Sequence, residues 1–330
     1  MQEYIITIDC GTTNTRALLF DAQHRLMHTE KREIGVRTTA INGNNEQLKQ
    51  TVRECIHNLL VAGNISFDNI KTIVASGMIT SNMGLVEIPH LVAPVSVPEL
   101  SAAMQKILIA DICPIPISFV PGVKNLAGNI DLNNMENMDM MRGEEVESCA
   151  IIKQLYQDQP MLLILPGSHT KLVAVDAHGR ISGCLSSISG ELLAAITQNT
   201  LIADAVNRAF VSTADYDKEM LLAGYQQAKK NGLGRACFST RIFSQFVSSD
   251  KTKAANFLLG AVLQGDIAAI KNSQILDINL NTSIIVAGKN PLRQALLDIL
   301  HYENDFHSIM EYLPDEHMPL SAAGVFALIS

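Results

Sequence analysis

The chain has 330 residues, which is enough for two domains of ordinary size, each with a core of its own. The formal net charge of −8, without any run of Lys or Arg, disfavours nucleic acid as a partner. Six cysteines are scattered without a C-x-x-C pair, which argues against a zinc site and fits a reducing compartment. No apolar segment is long enough to span a membrane, and strand residues begin at Tyr4, so a signal peptide is not expected. We therefore expect a cytoplasmic protein without a membrane partner.

The first predicted element is a β-hairpin. Residues 5–8 are mostly β-branched and predict a strand that stops at Asp9, and Gly11 suits the turn that follows. Hydroxyl and amide side chains crowd this turn, whose residues are Gly11, Thr12, Thr13, Asn14 and Thr15. A hairpin tip of this kind can cradle a phosphate group, and Asp9 at the strand end can hold a magnesium ion, often through water.

The next elements are a helix and a buried strand. Apolar residues recur on one face of residues 46–62, which predicts the helix, and residues 70–76 predict the strand. The loop 77–84 follows this strand and carries Ser81 and Asn82. Loops at the carboxyl ends of such strands commonly hold ligands, so both residues are candidates for substrate binding.

An acidic segment precedes the predicted helix 146–156. Glu144 or Glu145 is a candidate general base for a substrate hydroxyl, although acids also favour helix N-termini for purely structural reasons. The adjacent Arg142 is a candidate for pairing with a substrate carboxylate through its planar guanidinium. The sequence alone does not choose between the two glutamates.

The second half of the chain repeats the hairpin pattern over residues 161–181. The repeat has an apolar strand, a glycine and hydroxyl turn, and a second apolar strand, with candidate phosphate-binding residues Gly167, Ser168, His169 and Thr170. An internal duplication predicts two similar domains that together clamp the phosphates of a nucleotide. Further elements are predicted as helices near 190–204, 215–230, 237–247 and 252–271, a strand-to-turn junction at 282–291 with Gly288 against the nucleotide, and a terminal helix at 319–329.

Several motifs resemble those of one known family. They are Asp9-x-Gly11-Thr12-Thr13-Asn14-x-Arg16, Gly77-Met78-x-x-Ser81-Asn82-x-Gly84, Met141-Arg142-Gly143-Glu144-Glu145, Pro166-Gly167-Ser168-His169-x-Lys171 and Ser189-Gly190-Glu191-Leu192. Over nearly its whole length the chain resembles the 2-dehydro-3-deoxygalactonokinase family of the actin-like ATPase and sugar kinase superfamily.

The resemblance implies an α/β fold of two ribonuclease H-like domains around a nucleotide cleft. It also implies an enzyme that uses ATP and Mg²⁺ to phosphorylate 2-dehydro-3-deoxy-D-galactonate at the 6-hydroxyl in galactonate catabolism. Two positions depart from the family pattern, because Cys10 stands where a Trp is usual and Pro166 stands where an acid is common. In related carbohydrate kinases a Gly-Asp pair precedes the second hairpin, and Gly143-Glu144 occupies that place here, which modestly favours Glu144 as the base.

From these patterns we predict the domain limits and the alternatives. Residues 1–142, joined by the terminal helix 319–330, form the sugar-binding domain with the first phosphate hairpin, and residues 143–318 form the nucleotide-binding domain. The alternatives are a kinase of another sugar acid or sugar, or an actin-like ATPase without a small-molecule acceptor. A sugar-responsive repressor is disfavoured because no helix-turn-helix precedes Tyr4. A homo-oligomer is left open.

Overall fold

The computed structural model describes residues 3–126, 128–315 and 317–330. In chain order the strands are β1 (Tyr4–Cys10), β2 (Thr15–Asp21), β3 (Leu26–Arg32), β4 (Ile70–Gly77), β5 (Leu91–Val92), β6 (Gln105–Ile107), β7 (Ile117–Phe119), β8 (Val123–Lys124), β9 (Met140–Met141), β10 (Met161–Leu165), β11 (Thr170–Val175), β12 (Ile181–Ser187), β13 (Ser283–Val286) and β14 (Ser308–Glu311). The α-helices are α1 (Val36–Asn42), α2 (Glu46–Gly63), α3 (Val97–Ala102), α4 (Glu144–Leu155), α5 (Ser189–Asn199), α6 (Lys218–Asn231), α7 (Leu233–Phe246), α8 (Lys251–Asn272), α9 (Leu292–Glu303) and α10 (Leu320–Ile329).

The chain divides into two compact units. The first unit contains Met1–Gln157, Gly179–Ser182 and Pro314–Ser330, and the second contains Asp158–His178 and Gly183–Leu313. The C-terminal helix α10 therefore belongs to the first unit.

The division after residue 157 differs from the predicted limit after Arg142. Helix α4 packs against α10 in the first unit, so closely that a Cβ added at Gly324 would lie 1.8 Å from the carbonyl oxygen of Val146. The predicted limit separated these two helices because their contact joins segments that are far apart in the sequence.

The first unit is built on a six-stranded sheet with the order β3-β2-β1-β4-β7-β6. Strand β1 is antiparallel to β2 and parallel to β4. Because side chains alternate along a strand, Ile6 and Ile8 pack with the buried face of α2, whereas Ile5 packs with Phe326 of α10. The sheet is thus covered on both faces, and the two faces of β1 have different neighbours.

The second unit has a five-stranded sheet with the order β12-β11-β10-β13-β14. Strand β10 is antiparallel to β11 and parallel to β13, and all five of its residues are buried. When the strands are counted from the start of each unit, both sheets have the order third, second, first, fourth. In both units the fourth strand then pairs with a further parallel strand. The duplication predicted from the two hairpins is therefore present as a shared topology.

Most predicted elements have their expected place. The helix predicted over residues 46–62 is α2, and the strand predicted over residues 70–76 is β4. Helix α2 ends where Asn64 adopts a left-handed conformation and its N–H donates to the Leu60 carbonyl. Strand β14 was not predicted, because its four residues alternate weakly and none is fully buried.

Candidate active site

The first hairpin presents four loop residues between β1 and β2. Thr12 and Thr13 are exposed, and the Gly11 N–H donates to the Asn14 carbonyl at 2.9 Å, which closes the turn. The Asn14 side-chain amide donates to the Thr13 hydroxyl at 2.9 Å. The tip therefore offers hydroxyl and amide groups to solvent, as the sequence predicted.

Thr15 differs from the other tip residues. It is fully buried, and its hydroxyl donates to the Ile34 carbonyl at 2.7 Å. The sequence placed Thr15 among the phosphate-binding residues, but its side chain points into the unit because it already belongs to strand β2. Cys10 is also fully buried and packs in the cluster with Val52 and Ile56 of α2, on the face of β1 opposite to Asp9.

Gly11 does not need to be glycine for the fold. Its φ lies outside the left-handed region, and an added Cβ would meet only the Asn14 carbonyl oxygen, at 3.9 Å. Gly167 in the second hairpin is similar, because a Cβ there would lie 3.4 Å from the His169 carbonyl oxygen, an ordinary contact. The sequence reasoning explained Gly11 by a tight turn, and the structure gives no such requirement. Both glycines leave backbone open to close approach from outside.

Asp9 lies one residue before the end of β1 and is partly buried. It is the ladder partner of Arg16 on β2. Burial raises the pKa of the Asp9 carboxyl; the charge of Arg16 opposes this rise, Glu144 adds to it, and a hydrogen bond from Ser321 of α10 opposes it. Asp9 is therefore a carboxylate held between a cation, an acid and a hydroxyl.

Helix α4 places two acids beside Asp9. Glu144 is the first residue of the helix, and Glu147 follows three positions later on the same side. The pKa of Glu147 is raised to about 8, first by burial and then by the negative charges of Asp9 and Glu144, whereas Arg16 opposes the rise. Asp9, Glu144 and Glu147 thus form one coupled acidic group with Arg16. The sequence reasoning missed Glu147, although its spacing of three from Glu144 was a usable signal.

Glu145 has a different environment. Its side chain is fully buried, and both carboxylate oxygens accept the N–H of Gly143, at 2.9 and 2.8 Å. Burial and then the charge of Glu144 raise the pKa of Glu145 to about 8. Glu145 therefore holds the start of α4 in place, which is the structural alternative that the sequence left open.

Arg142 reaches the loop that follows β4. Its guanidinium donates to the Thr80 hydroxyl at 2.8 Å and to the Ile88 carbonyl at 2.7 Å, and one of its nitrogens lies 3.3 Å from Nδ1 of His90. Burial and then the charge of Arg142 lower the pKa of His90 to about 4, so His90 is neutral near pH 7. Arg142 thereby ties the loop of residues 78–90 to the start of α4.

The structure brings Arg142 to the loop that carries the two other predicted substrate residues. Ser81 is buried, and its hydroxyl donates to the Met78 carbonyl at 2.7 Å and accepts the N–H of Met83 at 3.3 Å. Asn82 is exposed. Of these two candidates Asn82 is therefore the one with an accessible side chain, whereas Ser81 shapes the turn.

The second hairpin is anchored by the start of α5. The Glu191 N–H donates to the Ser168 carbonyl at 2.9 Å, and Nε2 of His169 lies 3.2 Å from the Glu191 carboxylate. A Cβ added at Gly190 would lie 2.1 Å from the Gly167 carbonyl oxygen, so this position has no room for a side chain. Ser168 and His169 are exposed at the tip. The Ser-Gly-Glu motif of residues 189–191 therefore packs against the hairpin and holds it in position.

A buried carboxylate lies beneath the start of α5. Thr170 and Ser189 are buried, with their hydroxyl oxygens 2.8 Å apart, and the Ser189 hydroxyl donates to Oδ2 of Asp266 at 2.9 Å. Asp266 on α8 is fully buried, and burial raises its pKa. Thr170 was predicted to bind phosphate, but its hydroxyl belongs to this internal network. The sequence gave no signal for Asp266, because helix packing brings it there.

Gly288 follows β13 next to the second hairpin. Its φ of 88° lies in the left-handed region, and a Cβ would lie 2.9 Å from Cγ of Pro166. Arg293 donates to the Gly288 carbonyl at 2.7 Å. Because β10 and β13 are parallel neighbours, their carboxyl ends bring Gly288 and the hairpin together within the second unit.

Two kinds of feature are absent from the residues that the structure describes. Within residues 3–126, 128–315 and 317–330, no group of three or more His, Cys, Asp or Glu side chains is arranged to hold a metal ion. The helices of the same residues include none that is long and apolar enough to cross a membrane.

Solved structures share the fold of this chain. A protein from Sinorhizobium meliloti, named as a candidate 2-dehydro-3-deoxygalactonokinase, superposes with a TM-score of 0.75 at 19% identity, over 98% of this chain and 97% of the other. Component A of the (R)-2-hydroxyglutaryl-CoA dehydratase of Acidaminococcus fermentans superposes with a TM-score of 0.50 at 11% identity, over 99% and 96%. At these identities the similarity concerns the fold alone, and it confirms the predicted α/β fold of the actin-like ATPase and sugar kinase class.

Sequence comparison identifies the family. No curated protein matches the chain. A family model described as 2-keto-3-deoxy-galactonokinase matches residues 9–308, which include every predicted site residue from Asp9 to Gly288. The prefixes 2-keto and 2-dehydro name the same carbonyl group, so this is the family that the motifs indicated. The chain therefore belongs to the 2-keto-3-deoxy-galactonokinase family, whose members are carbohydrate kinases that phosphorylate this sugar acid.

Proposed function

We propose that this protein is a cytoplasmic enzyme that transfers the γ-phosphoryl group of Mg-ATP to the 6-hydroxyl of 2-dehydro-3-deoxy-D-galactonate, a step in the breakdown of D-galactonate. One observation supports this proposal above the others. At the carboxyl end of β1, an open glycine hairpin lies beside a coupled group of three acids and Arg16. Phosphoryl transfer requires these parts, which are a phosphate cradle, a site for a cation and a base.

The phosphate cradles are assigned to the exposed tips. In the first unit we assign Gly11 and residues 12–14, because Gly11 leaves open backbone and the side chains of Thr12 and Thr13 are free of the core. In the second unit we assign Gly167, Ser168 and His169, with Gly288 beside them for the nucleoside. Thr15 and Thr170 support these tips from inside.

Asp9 fits a magnesium ion that is held mainly by water and phosphate oxygens. Mg²⁺ is usually bound through one or two carboxylates together with substrate phosphates, so a single partly exposed carboxylate is a suitable donor set. When bound, the ion would neutralise charge on the phosphate chain. Arg16 opposes the rise in the pKa of Asp9 that burial and Glu144 cause, and so favours the ionised form of Asp9.

Glu144 is assigned as the general base. It lies at the start of α4, is partly exposed, and interacts with Asp9, whereas Glu145 is fully buried with both oxygens occupied. A base must be within hydrogen-bond reach of the hydroxyl whose proton it accepts, and only an accessible carboxylate can meet that condition. Glu145 then acts as a positioning residue for Glu144.

The sugar acid is assigned to Arg142 and the loop after β4. The guanidinium of Arg142 carries five N–H donors, of which the contacts to Thr80 and Ile88 use only part. The remaining donors and the exposed amide of Asn82 suit the carboxylate and hydroxyl groups of a sugar acid. The neutral state of His90 adds no competing positive charge to this loop.

The proposal is tested by a coupled ADP-release assay. Purified protein would be mixed with Mg-ATP and a panel of 2-keto-3-deoxy sugar acids, their parent aldonic acids and simple sugars. We expect release only with 2-dehydro-3-deoxygalactonate, and NMR of the product should place the phosphate on C6. Release with another acceptor would discard the substrate assignment, and release at the same rate without any acceptor would indicate an ATPase.

A further inference from the structure

Lys31 lies in a row of charged residues that crosses three strands. In the β1–β2 ladder Asp9 is the partner of Arg16, and in the β2–β3 ladder Arg16 is the partner of Lys31. Directly paired residues on neighbouring strands have side chains on the same face of the sheet. The row Asp9–Arg16–Lys31 therefore extends from the end of β1 to the edge strand β3.

The residues on either side of Lys31 confirm the face on which it lies. Arg32 and Glu30 form an ion pair at 2.7 Å, and Asn58 of α2 donates to the same Glu30 carboxylate at 3.4 Å. Glu30 and Arg32 thus point to the α2 face of the sheet. Because side chains alternate along a strand, Lys31 points to the opposite face, on which Asp9 and Arg16 lie.

The row opens into a small cavity beside the hairpin tip. The cavity has a volume of ≈ 170 Å³ and is lined by Asp9, Gly11, Thr13, Asn14, Arg16 and Lys31. At ~30 Å³ for each water molecule, it has room for about six waters, which is the scale of a phosphate chain rather than of a whole nucleotide.

The other charged groups of this cavity interact with one another and not with Lys31. Arg16 interacts with both Asp9 and Glu147 and so balances the acidic group of α4. Within the described residues, Lys31 has no ion pair or side-chain hydrogen bond. A cation that lies next to a backbone cradle and has no internal partner is suited to an anionic ligand.

We propose that Lys31 binds the phosphate chain of the nucleotide at the first hairpin. This inference rests on the proposed function and assigns that site a binding residue that no motif of the sequence indicated. The contact would be a charge-assisted hydrogen bond from Nζ to phosphate oxygens, next to the backbone N–H groups of the tip.

An ordinary role for Lys31 is protection of the sheet edge. Lysines on edge strands hinder pairing with other chains, and β3 is one edge of the six-stranded sheet. Lys106 provides the matched control, because it is exposed on β6, the other edge of the same sheet, and does not line the cavity. Edge protection would make the two lysines equivalent, whereas phosphate binding would not.

The test is calorimetric titration of the full chain with a non-hydrolysable Mg-ATP analogue and with adenosine. We expect Lys31→Met to weaken analogue binding roughly tenfold or more and to leave adenosine binding unchanged, because one charge-assisted contact is lost. Lys31→Arg should stay within about threefold of the parent, since the charge is retained, and Lys106→Met should bind both ligands like the parent. Thermal melts of all variants would show that the fold is intact, and Lys31→Gln replaces Lys31→Met if the latter fails to fold.

Three results would overturn the assignment. The first is unchanged analogue affinity in Lys31→Met, the second is an equal loss for analogue and adenosine, and the third is an equal loss in Lys106→Met. Each of these can occur while ADP release still depends on the sugar acid, so the proposed function would survive. If the parent protein binds no nucleotide at all, both the inference and the proposed function fail.

Discussion

The two hairpins of this protein have the same topology but carry different chemistry. In the first unit the ladder partner of Asp9, two residues before Gly11, is Arg16, and in the second unit the ladder partner of Leu165, two residues before Gly167, is Lys171. Asp9 and Arg16 are partly exposed, whereas Leu165 and Lys171 are buried, and Lys171 donates to Ser186. The charged groups thus face a cavity in one unit and the interior in the other.

This difference shows how a duplicated scaffold can divide its tasks. Both hairpins keep a glycine whose backbone is open to a ligand, so both can receive phosphate groups. The first hairpin is accompanied by three acids, one from β1 and two from α4, whereas the tip of the second has the exposed acid Glu191, which is paired with His169. A further carboxylate of the second unit, Asp266, is fully buried beneath its hairpin and accepts a hydrogen bond from the Ser189 hydroxyl. On this basis we propose that the first unit supplies the reacting groups and that the second supplies a rigid phosphate-binding hairpin.

The largest effect should come from removing the first carboxylate. Asp9→Asn is expected to lower kcat by about 10³-fold or more, because the magnesium ligand is lost, while thermal stability is kept or raised. Stability should not fall, since burial already disfavours the charged form of Asp9. Steady-state kinetics and thermal melts check both expectations. Turnover like that of the parent would eliminate the metal assignment.

Asp266→Ala is the matching change in the second unit. It would leave the Ser189 hydroxyl without its acceptor in a fully buried place, which costs about 1–3 kcal/mol of unfolding free energy. We expect a clear drop in the melting temperature and a smaller loss of turnover than in Asp9→Asn. If the two variants lost activity equally and stability equally, the proposed difference in role between Asp9 and Asp266 would be wrong.

The adjacent glutamates of α4 provide the second test. Glu144→Gln should lower kcat by about 10²- to 10⁴-fold, the usual contribution of a positioned base, with little change in the KM for ATP. Glu145→Gln keeps an acceptor for the Gly143 N–H, so its turnover should fall by no more than about tenfold. A larger loss in Glu145→Gln than in Glu144→Gln would reverse the assignment of the base.

The sequence predicted the hairpins and acidic segments well because these features are local. Alternation, glycine turns and the repeated order of residue types lie within some twenty positions, so they can be read without knowing the packing. Local reasoning also named Arg142 and the loop with Asn82 as candidates, and in the structure Arg142 contacts this loop at Thr80.

The missed features depend on long-range packing. Glu147 joins Asp9 only because α4 packs against α10, and Asp266 reaches Ser189 across 77 positions of sequence. Thr15 and Thr170 look like their neighbours in the sequence, but each is already a strand residue whose side chain points inward. Whether a hydroxyl faces a ligand or the core is decided by strand register, which the sequence did not specify to one residue.

The glycines of the two hairpins allow a stability test. Gly190→Ala should lower the unfolding free energy by about 1–3 kcal/mol, because the new methyl group would lie 2.1 Å from the Gly167 carbonyl oxygen unless the hairpin moved. Gly11→Ala should unfold at the same temperature as the parent but raise the KM for ATP, since its Cβ fits the fold and fills only the open space. Loss of stability in Gly11→Ala would show that the fold, and not the ligand, requires this glycine.

The smallest expected effect concerns the pH dependence of stability. The pKa of Glu147 is about 8 in the folded protein, against an ordinary value of 4.5, so between these pH values the folded state binds more protons than the unfolded state. Stability must therefore fall as the pH rises through this window, and Glu147→Gln should remove part of that fall.

Urea unfolding at pH 5, 6, 7 and 8 measures this effect. Glu147→Gln should gain on the order of 1 kcal/mol relative to the parent at pH 8 and progressively less towards pH 5. Glu219→Gln, an exposed change on α6 of the second unit, is measured in parallel as the control. A constant difference for Glu147→Gln would mean that its pKa is not raised, either by burial or by coupling to the charges of Asp9 and Glu144. Because that coupling is what distinguishes the first hairpin from the second, the assignment of the reacting groups to the first unit would then rest on Asp9 and Glu144 alone.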